Sequence, residues 1–155
     1  MSSVAEPSAQ PAEPAGPRLT YLIKRLEMAE RARMEEVIRP YGVTLHQYTA
    51  LSILERRGGL SSAQLARRHF VTPQAMNQLV AALERDGLIE RRADAVNRKI
   101  LRAWLTERGR QVLDSCHRAV DNVEQRMLAG FTTGQVRDFR QALEKTLVAL
   151  TEIGT

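Results

Sequence analysis

Apolar side chains recur at helical spacing along most of the chain, and the breaks in that spacing mark the elements. From Leu19 to Arg39 the positions Leu19, Leu22, Ile23, Leu26, Ala29, Met34, Val37 and Ile38 fall near one helix face, and Pro40 stops the run. Thr44 followed by Gln47 is the residue pair of a capping box. It opens a second helix with Leu45, Tyr48, Leu51 and Leu54 inward, closed by Gly58-Gly59. Ser61 and Gln64 form another such pair, starting a short helix that carries Leu65 and Ala66 to about His69. Thr72-Pro73 then sets an N-cap before proline, and Met76, Leu79, Val80 and Leu83 follow at i, i+3, i+4 and i+7 until Gly87. Beyond Gly87 the pattern becomes that of short strands. LIERR and ILRAWL predict a hairpin around the polar loop ADAVNRK. Thr106 caps a long helix over about 107–129, and Thr132 with Gln135 begins a last one carrying Val136, Phe139, Leu143, Leu147 and Leu150.

Helix, tight turn, helix and hairpin make a winged helix-turn-helix plan, mainly α with a small β-hairpin wing. In the long helix Leu113, Cys116, Val120, Val123 and Met127 alternate spacings of three and four, a seam that requires a partner helix from this chain or from a second copy. Residues 1–17 hold four of the six prolines and no apolar periodicity, which predicts a disordered tail. The expected organisation is a single unit over 18–155, with a DNA-binding lobe at about 44–105. Helices over about 19–39 and 107–153 form a dimerisation body. Its expected interface is Leu19, Leu22, Leu26, Val120, Val123, Met127, Leu143, Leu147 and Leu150.

Composition sharpens this picture mainly through charge. The 155 residues suffice for one core, and one cysteine excludes an internal disulfide. Together with the lack of a long apolar run or a signal-peptide pattern, this predicts a cytoplasmic protein outside any membrane. Net charge is +5, yet residues 56–102 hold ten bases against four acids while the two ends of the chain are nearly balanced. The basic third coincides with the helix-turn-helix and its wing, as binding of a polyanion requires. The same charge also fits a solvated basic surface. Opposite the apolar face of the helix over about 73–86 lie Gln74, Asn77, Gln78 and Arg85, including amides able to pair with adenine and a cation able to reach phosphate. Arg67 and Arg68 end the supporting helix, and Arg91, Arg92, Arg98 and Lys99 supply the wing with cations for phosphate or the minor groove. With Ser62 and Thr72 these residues are the expected contacts to double-stranded DNA.

The run VTLHQYTALSILERRGGLSSAQLARRHFVTPQAMNQLVAALERDGLIERRADAVNRKILRAWLTERG resembles the multiple antibiotic resistance regulator (MarR) family of bacterial transcription factors. The resemblance extends over roughly 19–150. Its most specific parts are SSAQLARR, TPQAMNQLVAALERDGLIERR and the closing LTERG. It implies a homodimer with interlocked first, fifth and sixth helices, bound to a palindromic operator. It also implies repression relieved when a small aromatic or anionic effector enters between dimer body and DNA-binding lobe. Family wings often read Asp-x-Arg-Asp-x-Arg, whereas this chain reads Asp94-Ala95-Val96-Asn97-Arg98-Lys99, with valine at the usual first arginine. That shifts the expected wing contacts to Arg98 and Lys99. Some members sense oxidants through a cysteine in the first helix; here that helix has none, and Cys116 is expected to be structural.

Tyr21, Met34, Tyr41, His46 and Tyr48 form the expected effector lining, since aromatic and polar groups together suit a small aromatic acid. The same residues also fit a plain core. An enzyme is disfavoured: His46, His69 and His117 fall on three separate predicted helices, and no phosphate loop, nucleophile elbow or Cys-x-x-Cys is present. No metal or cofactor is expected. The remaining alternative is a helical protein-interaction module without specific DNA binding.

Overall fold

The computed structural model describes residues 16–151. The proline-rich segment read as a tail lies almost wholly outside them. Helix α1 runs Leu19–Ile38 and passes through a 3-10 turn, Arg39–Tyr41, where Pro40 occupies an early position that needs no amide proton. Helix α2 (Leu45–Arg56) has its capping box made in full: Thr44 Oγ1 accepts from the Gln47 amide and the Gln47 side chain accepts from the Thr44 amide. The same reciprocal pair between Ser61 and Gln64 starts α3 (Ser62–His69). Thr72 caps α4 (Pro73–Arg85) through the Ala75 amide. Strands β2 (Ile89–Ala93) and β3 (Leu101–Leu105) form the hairpin, and α5 (Glu107–Met127) and α6 (Thr133–Thr151) follow.

The sheet has three strands rather than the two of the expected hairpin. Leu60–Ser61, β1, pairs antiparallel with β3 in the order β1-β3-β2, Leu60 facing Ala103 and Ser61 facing Arg102. Gly58 and Gly59 belong to this junction, since α2 already ends at Arg56. A Cβ on Gly58 would lie 2.7 Å from Trp104 Cε3, and one on Gly59 would lie 2.6 Å from Trp104 Cζ2. The glycine pair therefore seats the indole flat on the chain.

The core collects one or more residues from every α-helix and strand except α6: Ile38, Leu51, Leu65, Met76, Leu83, Ile89 and Leu113 are its largest members, each with at most 2% of its surface exposed. Truncating one such leucine to alanine costs about 2–5 kcal/mol, which is why the small helices α3 and α4 hold their places. Leu113 and Cys116 of the expected seam are filled by this chain itself, with Val120 packed beside them. Burial pushes the Cys116 thiol up to about 11, leaving it protonated and weakly nucleophilic. Val123 and Met127, farther along, line instead a 310 Å³ cavity with Leu26, Ala29, Glu30 and Val37 of α1. Burial, with the neighbouring Glu27 charge, raises the pKa of Glu30 there from its ordinary value. Helix α6 buries none of its residues, and Leu143, Leu147 and Leu150 are exposed along it.

Two backbone features fix the turns around α4. Gly87 adopts φ +73° and closes the helix with its amide on Glu84 O, while the Leu88 amide returns to Leu83 O. Phe70, at the turn between α3 and α4, adopts φ +59° with 94% of its surface exposed. A left-handed conformation costs a side-chain-bearing residue about 1–2 kcal/mol, and this side chain recovers nothing by packing. Phe70→Gly is therefore expected to stabilise the fold by about 1 kcal/mol in chemical denaturation, net of the extra freedom glycine has when unfolded. An unchanged or lowered midpoint would show that Phe70 makes compensating contacts.

Candidate nucleic-acid interface

Helix α4 is two-faced. Met76, Val80 and Leu83 are buried, with Leu79 half-buried, whereas Gln74, Asn77, Gln78 and Arg85 are exposed and recur at i, i+3, i+4 and i+11 along one stripe. Amides and a guanidinium on such a stripe can present paired donors and acceptors to base edges. Ser62 starts α3 and is half-buried; Arg67 and Arg68 are exposed on its last turn. Among the described residues neither arginine has an ion-pair partner, nor do Arg98 and Lys99 on the loop joining β2 to β3. Thr72 spends its hydroxyl as acceptor on the cap of α4.

The other expected wing cations are already engaged. Arg91 donates from Nε and Nη2 to both oxygens of Glu84, at 3.1 and 2.9 Å, and is only 27% exposed. That two-pronged pair ties β2 to the back of α4, so Arg91 positions the wing instead of standing free on it. Arg92 pairs with Glu90 on the same strand, and Arg85 lies 3.6 Å from Asp86.

A residue missed by sequence reasoning organises the rest. Arg102 of β3 donates to Asp94 Oδ1 at 2.5 Å, to the Gly59 carbonyl at 3.0 Å and to Gln64 Oε1 at 3.3 Å. One guanidinium thus joins the base of the wing, the turn before β1 and the capping box of α3. Asp94 also accepts from the amides of Val96 and Asn97, and Asn97 Oδ1 accepts from the Lys99 amide. The Asp94/Asn97 spacing could have signalled this side-chain turn. The Arg102 contacts depend on strand register across 38 to 43 residues and left no local trace.

Comparison with known proteins gives this arrangement its place. The model of the MarR family matches residues 41–100. The HTH-type transcriptional repressor Rv2887 of Mycobacterium tuberculosis is 39% identical over 127 residues, which are 82% of this chain and 91% of that one. The chain belongs to the MarR family. The crystal structure of Rv2887 in complex with DNA superposes with a TM-score of 0.72 at 36% identity, covering 84% of this chain and 98% of that one. The complex of Rv2887 with salicylic acid does so at 0.69 and 37%, covering 85% and 98%.

In this MarR chain the five expected effector residues lie in different surroundings, and of them only His46 lines one of the cavities described among these residues. Tyr21 is exposed near the start of α1, its ring 5.8 Å from the Arg25 guanidinium carbon; Tyr41 is exposed and Met34 half-buried. His46 lines a 340 Å³ groove between α2 and α4 with His69, Val71, Leu79 and Gln78. Its carbonyl accepts from His69 Nε2 at 2.9 Å, and among the described residues the buried His69 Nδ1 has no hydrogen-bond partner. Tyr48 sits in the α2–α5 seam, where its hydroxyl meets His117 Nδ1 at 2.9 Å and His117 Nε2 meets Glu55 at 2.9 Å. Burial pushes the Tyr48 pKa up, keeping it a hydroxyl. His117 thus acts as the polar clasp between the two helices.

The amide of Asn97, aided by Arg102 and the Val96 amide, holds the Asp94 carboxyl down at about 2, against an ordinary 3.8. A depressed value means the turn gains stability from the ionised form above about pH 4, and loses it as pH falls toward 2. The Val96 and Asn97 amide resonances are expected to titrate together with a midpoint near 2, and Asp94→Asn to abolish the transition. A midpoint at the ordinary carboxylate value would contradict the hydrogen-bonded turn.

Proposed function

We propose that the chain is a homodimeric, sequence-specific DNA-binding repressor, released from a palindromic operator by a small aromatic or anionic effector. The observation that carries this is the exposed α4 stripe of Gln74, Asn77, Gln78 and Arg85, flanked along the chain by exposed cations that have no ion-pair partner among the described residues, Arg67 and Arg68 at the end of α3 and Arg98 and Lys99 on the wing loop. A helix so flanked enters a major groove about 12 Å wide while the cations meet the phosphate walls. Ser62 and Thr72, at the starts of α3 and α4, complete the contact set with backbone-proximal hydroxyls. Support comes from Rv2887, whose structures are with DNA, with salicylic acid and with p-aminosalicylic acid.

The DNA-binding lobe is residues 44–105, and α1, α5 and α6 are the dimerisation body. Leu19, Leu22 and Leu26 of α1 and Leu143, Leu147 and Leu150 of α6 leave apolar surface exposed in the single chain, and a second copy covers it. Val123 and Met127 extend this interface, whereas Val120 serves the chain's own core. The reading is of a cytoplasmic regulator and not an enzyme; among the described residues no helix is long and apolar enough to cross a membrane. Tyr48 is the effector-lining residue the geometry favours, because it lies where the lobe meets α5.

Light scattering at micromolar concentration is expected to give twice the 17.4 kDa chain mass without DNA, and a single-chain mass would remove the dimer. Asn77→Ala or Gln78→Ala is expected to cost about 1–3 kcal/mol on the cognate operator while sparing random DNA. Arg98→Ala is expected to weaken both alike and to lower the salt slope by about one. Equal losses on operator and random DNA for Asn77→Ala would overturn the division between base reading and phosphate contact.

A further inference from the structure

The wing ends in an apolar point. Val96 is 96% exposed, on a loop held by Asp94, Asn97 and the Arg102 guanidinium. The loop is braced further: the Asp94 amide donates to Ile100 O at 2.8 Å, and the Ile100 amide to Asn97 O at 2.9 Å. Through Arg91 and Glu84 the hairpin is also fixed against α4. The isopropyl group is therefore presented at a set position relative to the α4 stripe, with exposed Arg98 and Lys99 two and three residues beyond it. On the reading that α4 enters a major groove, the hairpin is offered to the neighbouring minor groove, whose walls are deoxyribose carbon and whose floor differs by base pair. A·T pairs show acceptors alone there, and G·C adds the guanine N2 amino group. A branched alkyl group can fill the groove above A·T. Above G·C it would cover a donor that it cannot bond, at the cost of stripping a polar group of water.

We propose that Val96 is the wing's minor-groove contact, packing between the sugar walls over A·T pairs and rejecting guanine through its exocyclic amino group, while Arg98 and Lys99 hold the flanking phosphates. This makes the wing a reader of groove shape and not only a source of charge. It rests on the DNA-binding reading above and adds a specificity determinant to it.

The test uses the full chain and a duplex that it selects from a randomised pool, with the wing-facing pairs located by minor-groove footprinting. Those A·T pairs are replaced by G·C, and separately by inosine·C, which keeps the major-groove face of G·C but lacks the minor-groove amino group. Wild type is expected to lose about tenfold in affinity on G·C, comparable to forfeiting the burial of one valine side chain, and to regain it on inosine·C. Val96→Ser is expected to bind the A·T duplex several-fold more weakly, to lose the distinction between G·C and inosine·C, and to bind random DNA as wild type does. Equal wild-type binding to G·C and inosine·C duplexes overturns the proposal, as does a Val96→Ser protein that still distinguishes them. Failure of the chain to select any duplex overturns the regulator reading itself, and is seen before the Val96 arms are measured.

Discussion

The missing side chain of Gly109 lets the long helix sit directly on the end of α4. A Cβ there would lie 2.0 Å from the Leu88 carbonyl oxygen, so any side chain would force the backbone of the junction apart. Around that contact the Thr106 amide donates to Leu88 O, the Thr106 hydroxyl donates to Gly87 O at 2.6 Å, and the Gly109 amide donates back to Thr106 Oγ1. The cap of α5 and the terminus of α4 are thus one hydrogen-bonded knot. The first turn of α5 is thereby held against the turn that leaves α4, and the two helices share one fixed junction.

Rigidity on the wing side comes from ions. Arg91 and Arg102 look on paper like two more contributions to a basic surface, yet each is consumed in holding elements together, the first to Glu84 and the second to Asp94, Gly59 O and Gln64. The positive surplus of this segment therefore divides into structural cations, set inside the sheet and its turns, and surface cations on α3 and the wing loop. Only the second group is available to phosphate without first breaking the fold.

What was legible in the sequence was what is local. The pairs Thr44/Gln47, Ser61/Gln64 and Thr132/Gln135 each span three residues, and all three are made as capping boxes or their equivalents. Apolar spacing likewise gave the inward face of α4. Two-residue β1 carries no periodicity of its own and exists because β3, more than forty residues later, supplies its partner. The partner of the α5 seam was undecidable from spacing, because a seam states its width and not its owner. In the event Leu113 and Cys116 belong to this chain's core, while the far half faces a cavity against α1. The effector lining was beyond spacing for a related reason: helical period assigns a side chain to a face, but Tyr21 and Tyr48 lie on different helices whose separation no period encodes.

The single tryptophan imposes an order on how this sequence can drift. With Trp104 in place, neither Gly58 nor Gly59 accepts a Cβ unless the indole moves off the chain. Once the indole gives way to a small residue, Gly58 is released to vary, but Gly59 stays restricted by its φ of +73°. Restoring the tryptophan afterwards would meet whatever side chain had entered at 58. The exchange is easy in one direction and obstructed in the other, a one-way step in sequence space created by an aromatic ring lying on two glycines.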